Sequence, residues 1–186
     1  MAAELQGKRI LILATDGFEQ SELEIPLVKL KAAGADVAVA APNAGEIKGW
    51  DKKDWGRAVK VDQTLNDTAV DDFDAIVLPG GVMNPDHLRV NNDALELIRG
   101  FFDAGKIVAA VCHAPWLLVE AGIAKGRRMT SYHTIKTDMI NAGASWEDAA
   151  VVTDNGIITS RNPGDLDAFS AKIIEEVKEG RHSRAA

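Results

Sequence analysis

The chain holds one cysteine, Cys112, and its setting is that of a nucleophile. Cys112 ends the apolar run Lys106-Ile107-Val108-Ala109-Ala110-Val111, is followed at once by His113, and opens the stretch Ala114-Pro115-Trp116-Leu117-Leu118-Val119. This pattern predicts a buried parallel strand, a sharp turn and a helix with Pro115 in its first turn, where a missing N–H costs nothing. A thiol at that turn would face the positive end of a helix, which favours thiolate, the nucleophilic form. A lone cysteine among apolar residues can also be a small buried hydrophobe. Its place at a strand end, just before a histidine, favours the reactive reading.

Carboxylates are the next candidates. Glu19 and Glu22 lie in Thr15-Asp16-Gly17-Phe18-Glu19-Gln20-Ser21-Glu22, just beyond the apolar run Arg9 to Ala14. In a helix starting near Phe18 the two would share a face and point toward the Cys112 elbow; alternatively they are first-turn acids favoured by the helix dipole. Pro79-Gly80-Gly81 ends another apolar run, and its glycines permit positive φ and close backbone approach. The N–H groups of Gly81 and His113 would then form an oxyanion hole beside the sulfur. His113 is the obvious base, although neighbours on an elbow usually point apart. Tyr132 either lines the same pocket or is a core tyrosine. His87, His133 and His182 read as surface residues, and no spacing of His, Cys, Asp and Glu marks a metal site. No cofactor is expected.

The elements that must position these groups alternate between strand and helix. Apolar runs at 9–14, 37–40, 75–78 and 106–111 read as strands, each closed by a turn signal. Helical spacing covers 20–33, 92–104 and 165–179. The polar segment 45–62, with Trp50 and Trp55, reads as a loop or hairpin whose tryptophans cover apolar surface. A short strand at 128–131, a short helix at 135–141 and two strands around Asn155-Gly156 follow. The segment 82–88 reads as a loop, and the tail 180–186 as frayed. These elements imply an α/β fold with a mostly parallel sheet covered by helices on both faces. One domain over 1–186, with its core at about 8–179, is expected.

Composition removes several classes of function. The chain has 186 residues, 46% hydrophobic, and a net charge of −7, enough apolar content for one sizeable core. It has no long basic run, so nucleic acid is not an expected partner. No stretch reaches the ~20 apolar residues that span a bilayer, so no membrane association is expected. One cysteine cannot close an internal disulfide, and Met1 to Arg9 lacks the pattern of a signal peptide. A cytoplasmic, reducing location is the expectation.

The segments Thr15–Glu22, Val77–Gly81, Ala110–Pro115 and Asp138–Ala144 resemble the PfpI family, in the same order and over about 8–174. That family lies in the superfamily of the parkinsonism-associated deglycase and the class I glutamine amidotransferase-like proteins. The resemblance implies a flavodoxin-like sandwich, a cysteine on a nucleophile elbow, and homodimers or larger homo-oligomers. It implies protease, cofactor-free glyoxalase or protein deglycase activity, with small carbonyl compounds, glycated proteins or peptides as substrates. It places the Glu22 carboxyl against the cysteine sulfur. In the protease form His113 would pair with Cys112 and be oriented by an acid from a neighbouring subunit. Here Asp86 stands where the family's proteases commonly have Glu, with one extra residue before it. Trp116 replaces a frequently polar side chain, predicting a more apolar pocket wall. The competing expectation is a redox sensor or chaperone whose Cys112 is oxidised without turnover. A glutamine amidotransferase ranks last, because Arg161-Asn162-Pro163-Gly164-Asp165 supplies no late His and Glu pair.

Overall fold

The computed structural model describes residues 3–183. In chain order its elements are β1 (Arg9–Leu13), β2 (Phe18–Glu19), α1 (Gln20–Ala32), β3 (Asp36–Ala41), β4 (Glu46–Asp51), β5 (Asp54–Lys60), β6 (Gln63–Thr64), β7 (Ala75–Leu78) and α2 (Met83–Leu88). They continue as α3 (Asn92–Asp103), β8 (Ile107–Val111), α4 (Pro115–Glu120), β9 (Arg128–Met129), α5 (Lys136–Asn141), β10 (Ser145–Trp146), β11 (Val151–Asp154), β12 (Ile157–Ser160) and α6 (Leu166–Glu179). The main sheet runs β11-β12-β8-β7-β1-β3-β6. All its pairings are parallel except the β11–β12 hairpin at one edge.

Alternation along the strands builds two cores. Leu11, Leu13, Ile76, Leu78, Val108 and Ala110 face one side with Ile98 and Phe101 of α3, Leu117 and Leu118 of α4, and Met139 of α5. Ile10, Ile12, Val77, Ala109 and Val111 face the other with Leu23 and Leu30 of α1 and Phe169 and Ile173 of α6. Strands buried on both faces read as continuous apolar runs, which is why β1, β7 and β8 were visible in the sequence. The α/β sandwich is therefore as expected. No helix among the described residues is long and apolar enough to cross a membrane.

The chain departs from the sequence reading in places that bear on function. α1 begins at Gln20 rather than near Phe18, because Phe18 and Glu19 pair with Gly49 and Trp50 of β4. Residues 46–60 form the β4–β5 hairpin, one of the two expected readings, but it makes a separate small sheet with β2. The segment 82–88 is not a loop: 83–88 form α2, whose Asn84 is fully buried. The tail is docked as far as the described residues go, the His182 N–H donating to the Gly105 carbonyl at 2.8 Å; residues 184–186 lie outside them.

Candidate active site

The loops after β1, β7 and β8 meet at the carboxyl edge of the sheet, around the point where the chain reverses its direction of strand addition; crevices at such points are the usual ligand sites of open α/β sheets. Cys112 follows β8 with φ +64°, a left-handed conformation that costs a non-glycine residue about 1–3 kcal/mol and concentrates at functional sites. Hydrogen bonds on both sides hold it there. The Cys112 N–H donates to the Ser160 carbonyl at 3.0 Å, and the Cys112 carbonyl accepts from the Tyr132 N–H at 2.7 Å.

The facing wall comes from Gly80 and Gly81 and the start of α1. A Cβ on Gly80 would lie 2.6 Å from Glu22 Oε2, 2.6 Å from the Val111 carbonyl and 2.7 Å from Cys112 Cβ. A Cβ on Gly81, at φ +76°, would lie 2.6 Å from the Gly17 carbonyl and 2.7 Å from the Glu19 nitrogen. Both glycines are thus required by close approach. Nothing in the local pattern singles out Asn84, yet it ties this wall together. Its Oδ1 accepts from the Thr15 N–H at 2.8 Å, and its Nδ2 donates to the carbonyls of Pro79 at 2.8 Å and Gly80 at 3.2 Å.

Glu22 is fully buried. Its Oε2 accepts from the Gly80 N–H at 2.8 Å. Its Oε1 is buried without an aligned hydrogen bond, while the carboxyl as a whole lies against the Cys112 thiol. Burial pushes the carboxyl up to about 8; contact with Cys112 pulls it back, and charge on Glu19 adds to the rise. At neutral pH Glu22 therefore carries a proton. Glu19 lines the same cavity from the residue before α1, so the two acids do not share a helical face. Its carboxyl is raised chiefly by burial, and Ser21 Oγ donates to it at 3.2 Å.

Burial also pushes the Cys112 thiol up, a charged Glu22 pushes it further, and the N–H groups of Gly81 and His113 pull it down. This is opposite to the lowered value expected from the following helix. α4 is only six residues long and starts at Pro115, and Cys112 is 6% exposed, so desolvation outweighs the dipole. Two negative charges in contact in a dry site are disfavoured, so Cys112 and Glu22 titrate as a coupled pair. A protonated Glu22 removes its repulsion of a thiolate.

His113 does not point away. Its Nδ1 lies 3.2 Å from Cys112 Sγ, and its Nε2 lies 3.2 Å from Thr134 Oγ1. The ring stacks on Tyr132, with centroids 4.8 Å apart, and meets the Trp116 edge at 5.3 Å. Burial, then the neighbouring His133, holds the imidazole below its usual range. A neutral ring that donates from Nε2 to Thr134 presents the Nδ1 lone pair to the thiol.

A cavity of about 620 Å³ opens above the sulfur, reached by Glu19, Glu22, Gly81, Cys112, His113 and Tyr132. Gly17, Trp50, Lys52, Val82, Met83, Thr134 and Pro163 complete its walls. Lys52, in the β4–β5 turn at φ +58°, was missed because only the hairpin's pairing with β2 brings that turn to the sheet edge. Trp116 is not a wall residue; it packs behind His113 and donates from Nε1 to Asp138 at 2.9 Å. Asp86 is exposed on α2 and does not line the cavity. His87 and His133 are exposed as expected, whereas His182 is partly buried.

Known proteins resemble this chain in sequence and in fold. The deglycase PfpI of Pyrococcus furiosus is 44% identical over 170 residues, covering 91% of this chain and 99% of that relative. Protein/nucleic acid deglycase 2 of Escherichia coli is 38% identical over 170 residues, covering 90% of this chain and 96% of its own. The crystal structure of Drosophila melanogaster DJ-1beta superposes with a TM-score of 0.82 at 34% identity, over 92% of this chain and 94% of that one. The profile of the DJ-1/PfpI family matches residues 8–176, and the chain belongs to that family.

Proposed function

We propose that this protein is a cysteine-dependent enzyme acting on reactive carbonyls, converting dicarbonyls such as methylglyoxal, free or as adducts on amines, to hydroxy acids. The observation that carries this reading is the Cys112 sulfur on a strained elbow, at the floor of a cavity, between a neutral imidazole and a protonated carboxyl. The names of the two deglycase relatives support the same class.

As the Cys112 sulfur bonds to the aldehyde carbon, His113 Nδ1 takes the thiol proton, and the N–H groups of Gly81 and His113 stabilise the negative charge. The Glu22 carboxyl protonates the carbonyl oxygen, giving a hemithioacetal. Moving the proton on that carbon to the neighbouring carbonyl carbon, with Glu22 as carrier, and the hydroxyl proton to the neighbouring carbonyl oxygen converts the hemithioacetal to a thioester. Water then hydrolyses the thioester and restores the thiol. The sum is dicarbonyl plus water to hydroxy acid, with no net change of oxidation state and no cofactor. On a hemiaminal adduct the C–N bond breaks first, the hydroxyl proton passing to the nitrogen, which frees the unmodified amine and leaves the aldehyde to follow the same course.

Peptide hydrolysis is the variant in which a partner subunit's acid orients His113, and Asp86, exposed on α2, is the residue available for it. Homodimers or larger homo-oligomers and an intracellular site of action belong to this reading. Incubation with methylglyoxal, followed by NMR of the products, tests it: lactate without added cofactor is expected. Peroxide-driven mass gain at Cys112 with no lactate, no released amine and no peptide cleavage would replace it with a redox sensor.

A further inference from the structure

Far from the cavity, the carboxyl end of α6 and the chain beyond it bring together Glu176, Glu179 and His182, whose nearest ligand atoms all lie within 4.8 Å of one another. Glu176 and Glu179 are one helical turn apart on one face. Gly180, at φ +99°, turns the chain back so that His182 returns over Glu176. Backbone contacts fix that return. The His182 N–H donates to Gly105 at 2.8 Å, and a Cβ on Gly105 would lie 2.5 Å from the His182 carbonyl oxygen.

Glu176 is only 6% exposed, an unusual place for a carboxylate. Its Oε2 lies 2.9 Å from His182 Nε2, yet both atoms are buried and neither makes an aligned hydrogen bond. A hydrogen-bonded pair of these groups would point the N–H at the oxygen. Two ligands of one metal instead point their lone pairs at a common third position. At bond lengths of about 2.0–2.1 Å to nitrogen and oxygen, such a separation corresponds to an angle of roughly 90° at the metal. We propose that Glu176, Glu179 and His182 bind a divalent transition ion of the zinc type, for which one imidazole and two carboxylates are a fitting donor set. Glu179 is exposed, so the remaining coordination positions face water. The ion would fasten the tail to the turn between α3 and β8. Spacing alone hid this site, because Glu-x-x-Glu-x-x-His becomes a cluster only through the turn at Gly180.

The test is calorimetric titration of the untagged full chain with Zn²⁺, carried out in Cys112→Ser so that the thiol contributes no ligand. One equivalent with a dissociation constant below about 100 µM is expected, together with a Zn²⁺-dependent rise in melting temperature that chelator reverses. His182→Ala and Glu179→Gln should each weaken binding about tenfold or more, with melting in chelator unchanged for Glu179→Gln. No saturable binding in that range, or undiminished binding in Glu179→Gln and in His182→Ala, would overturn the proposal.

Discussion

Cys112 Sγ and His113 Nδ1 lie 3.2 Å apart although the two residues are adjacent in sequence. Consecutive side chains on a regular strand project to opposite faces. The left-handed turn at Cys112 breaks that alternation, and stacking on Tyr132 holds the imidazole beside the sulfur. In the proposed mechanism His113 is the base that takes the thiol proton. His113→Gln, which cannot take the proton, should lower kcat for lactate formation by about 10²–10⁴. Rates within a factor of about two of wild type would remove His113 from the chemistry.

Thr134 touches the far side of that ring. Its Oγ1 lies 3.2 Å from Nε2, and by accepting from Nε2–H it would hold the tautomer with its lone pair on Nδ1. Thr134→Val keeps the shape and loses the hydrogen bond, worth about 1 kcal/mol. A fall in kcat of about fivefold is expected, with KM nearly unchanged and the alkaline limb of the pH profile in place. A change confined to KM would instead mark Thr134 as a substrate contact.

The Glu22 proton has a signature in stability. Burial raises the carboxyl from 4.5 to about 8 in the fold. Between those values the folded chain keeps a proton that the unfolded chain has released, so Glu22's contribution to stability falls as pH rises through the window. Glu22→Gln cannot ionise and should lack this fall. Urea midpoints from pH 5 to pH 8.5 check it, with wild type losing ground to the variant toward alkaline pH; parallel profiles would contradict a protonated, buried Glu22.

Gly80 and Gly122 make a matched pair. A Cβ at Gly80 would strike Glu22, Val111 and Cys112, whereas at Gly122, φ +77°, it would meet nothing within 4 Å. Gly122→Ala should therefore cost only the left-handed backbone, about 1–2 kcal/mol, with full activity. Gly80→Ala should cost about 1–3 kcal/mol from overpacking and abolish turnover as well, because the displaced atoms are those of the site. Activity in Gly80→Ala near wild type would show that the wall can yield.

Much of this was legible in the sequence. β1, β7 and β8 are buried on both faces, so their apolar runs need no partner to be recognised, and the Cys112 elbow, Gly81 and Glu22 follow from where those runs end. Other features depend on distant pairings. Phe18 and Glu19 join β4, which delays α1 and separates Glu19 from Glu22. Asn84 is a helical residue whose bonds all cross to other loops or back into the Pro-Gly-Gly turn. The thiol's upward shift follows from burial, which local pattern does not encode, whereas the helix dipole that argued for a lowered value is a local feature.

Cys112→Ala removes the one sulfur to which the proposed covalent chemistry on carbonyls is assigned. Wild type and variant, both confirmed folded by circular dichroism, are compared on methylglyoxal, on a glycated peptide and on an unmodified peptide. Wild type should produce lactate or release free amine without cofactor, and the variant should lose at least about 10³ in rate. Indistinguishable rates for the two proteins on all three substrates would show that the sulfur takes no part in the chemistry.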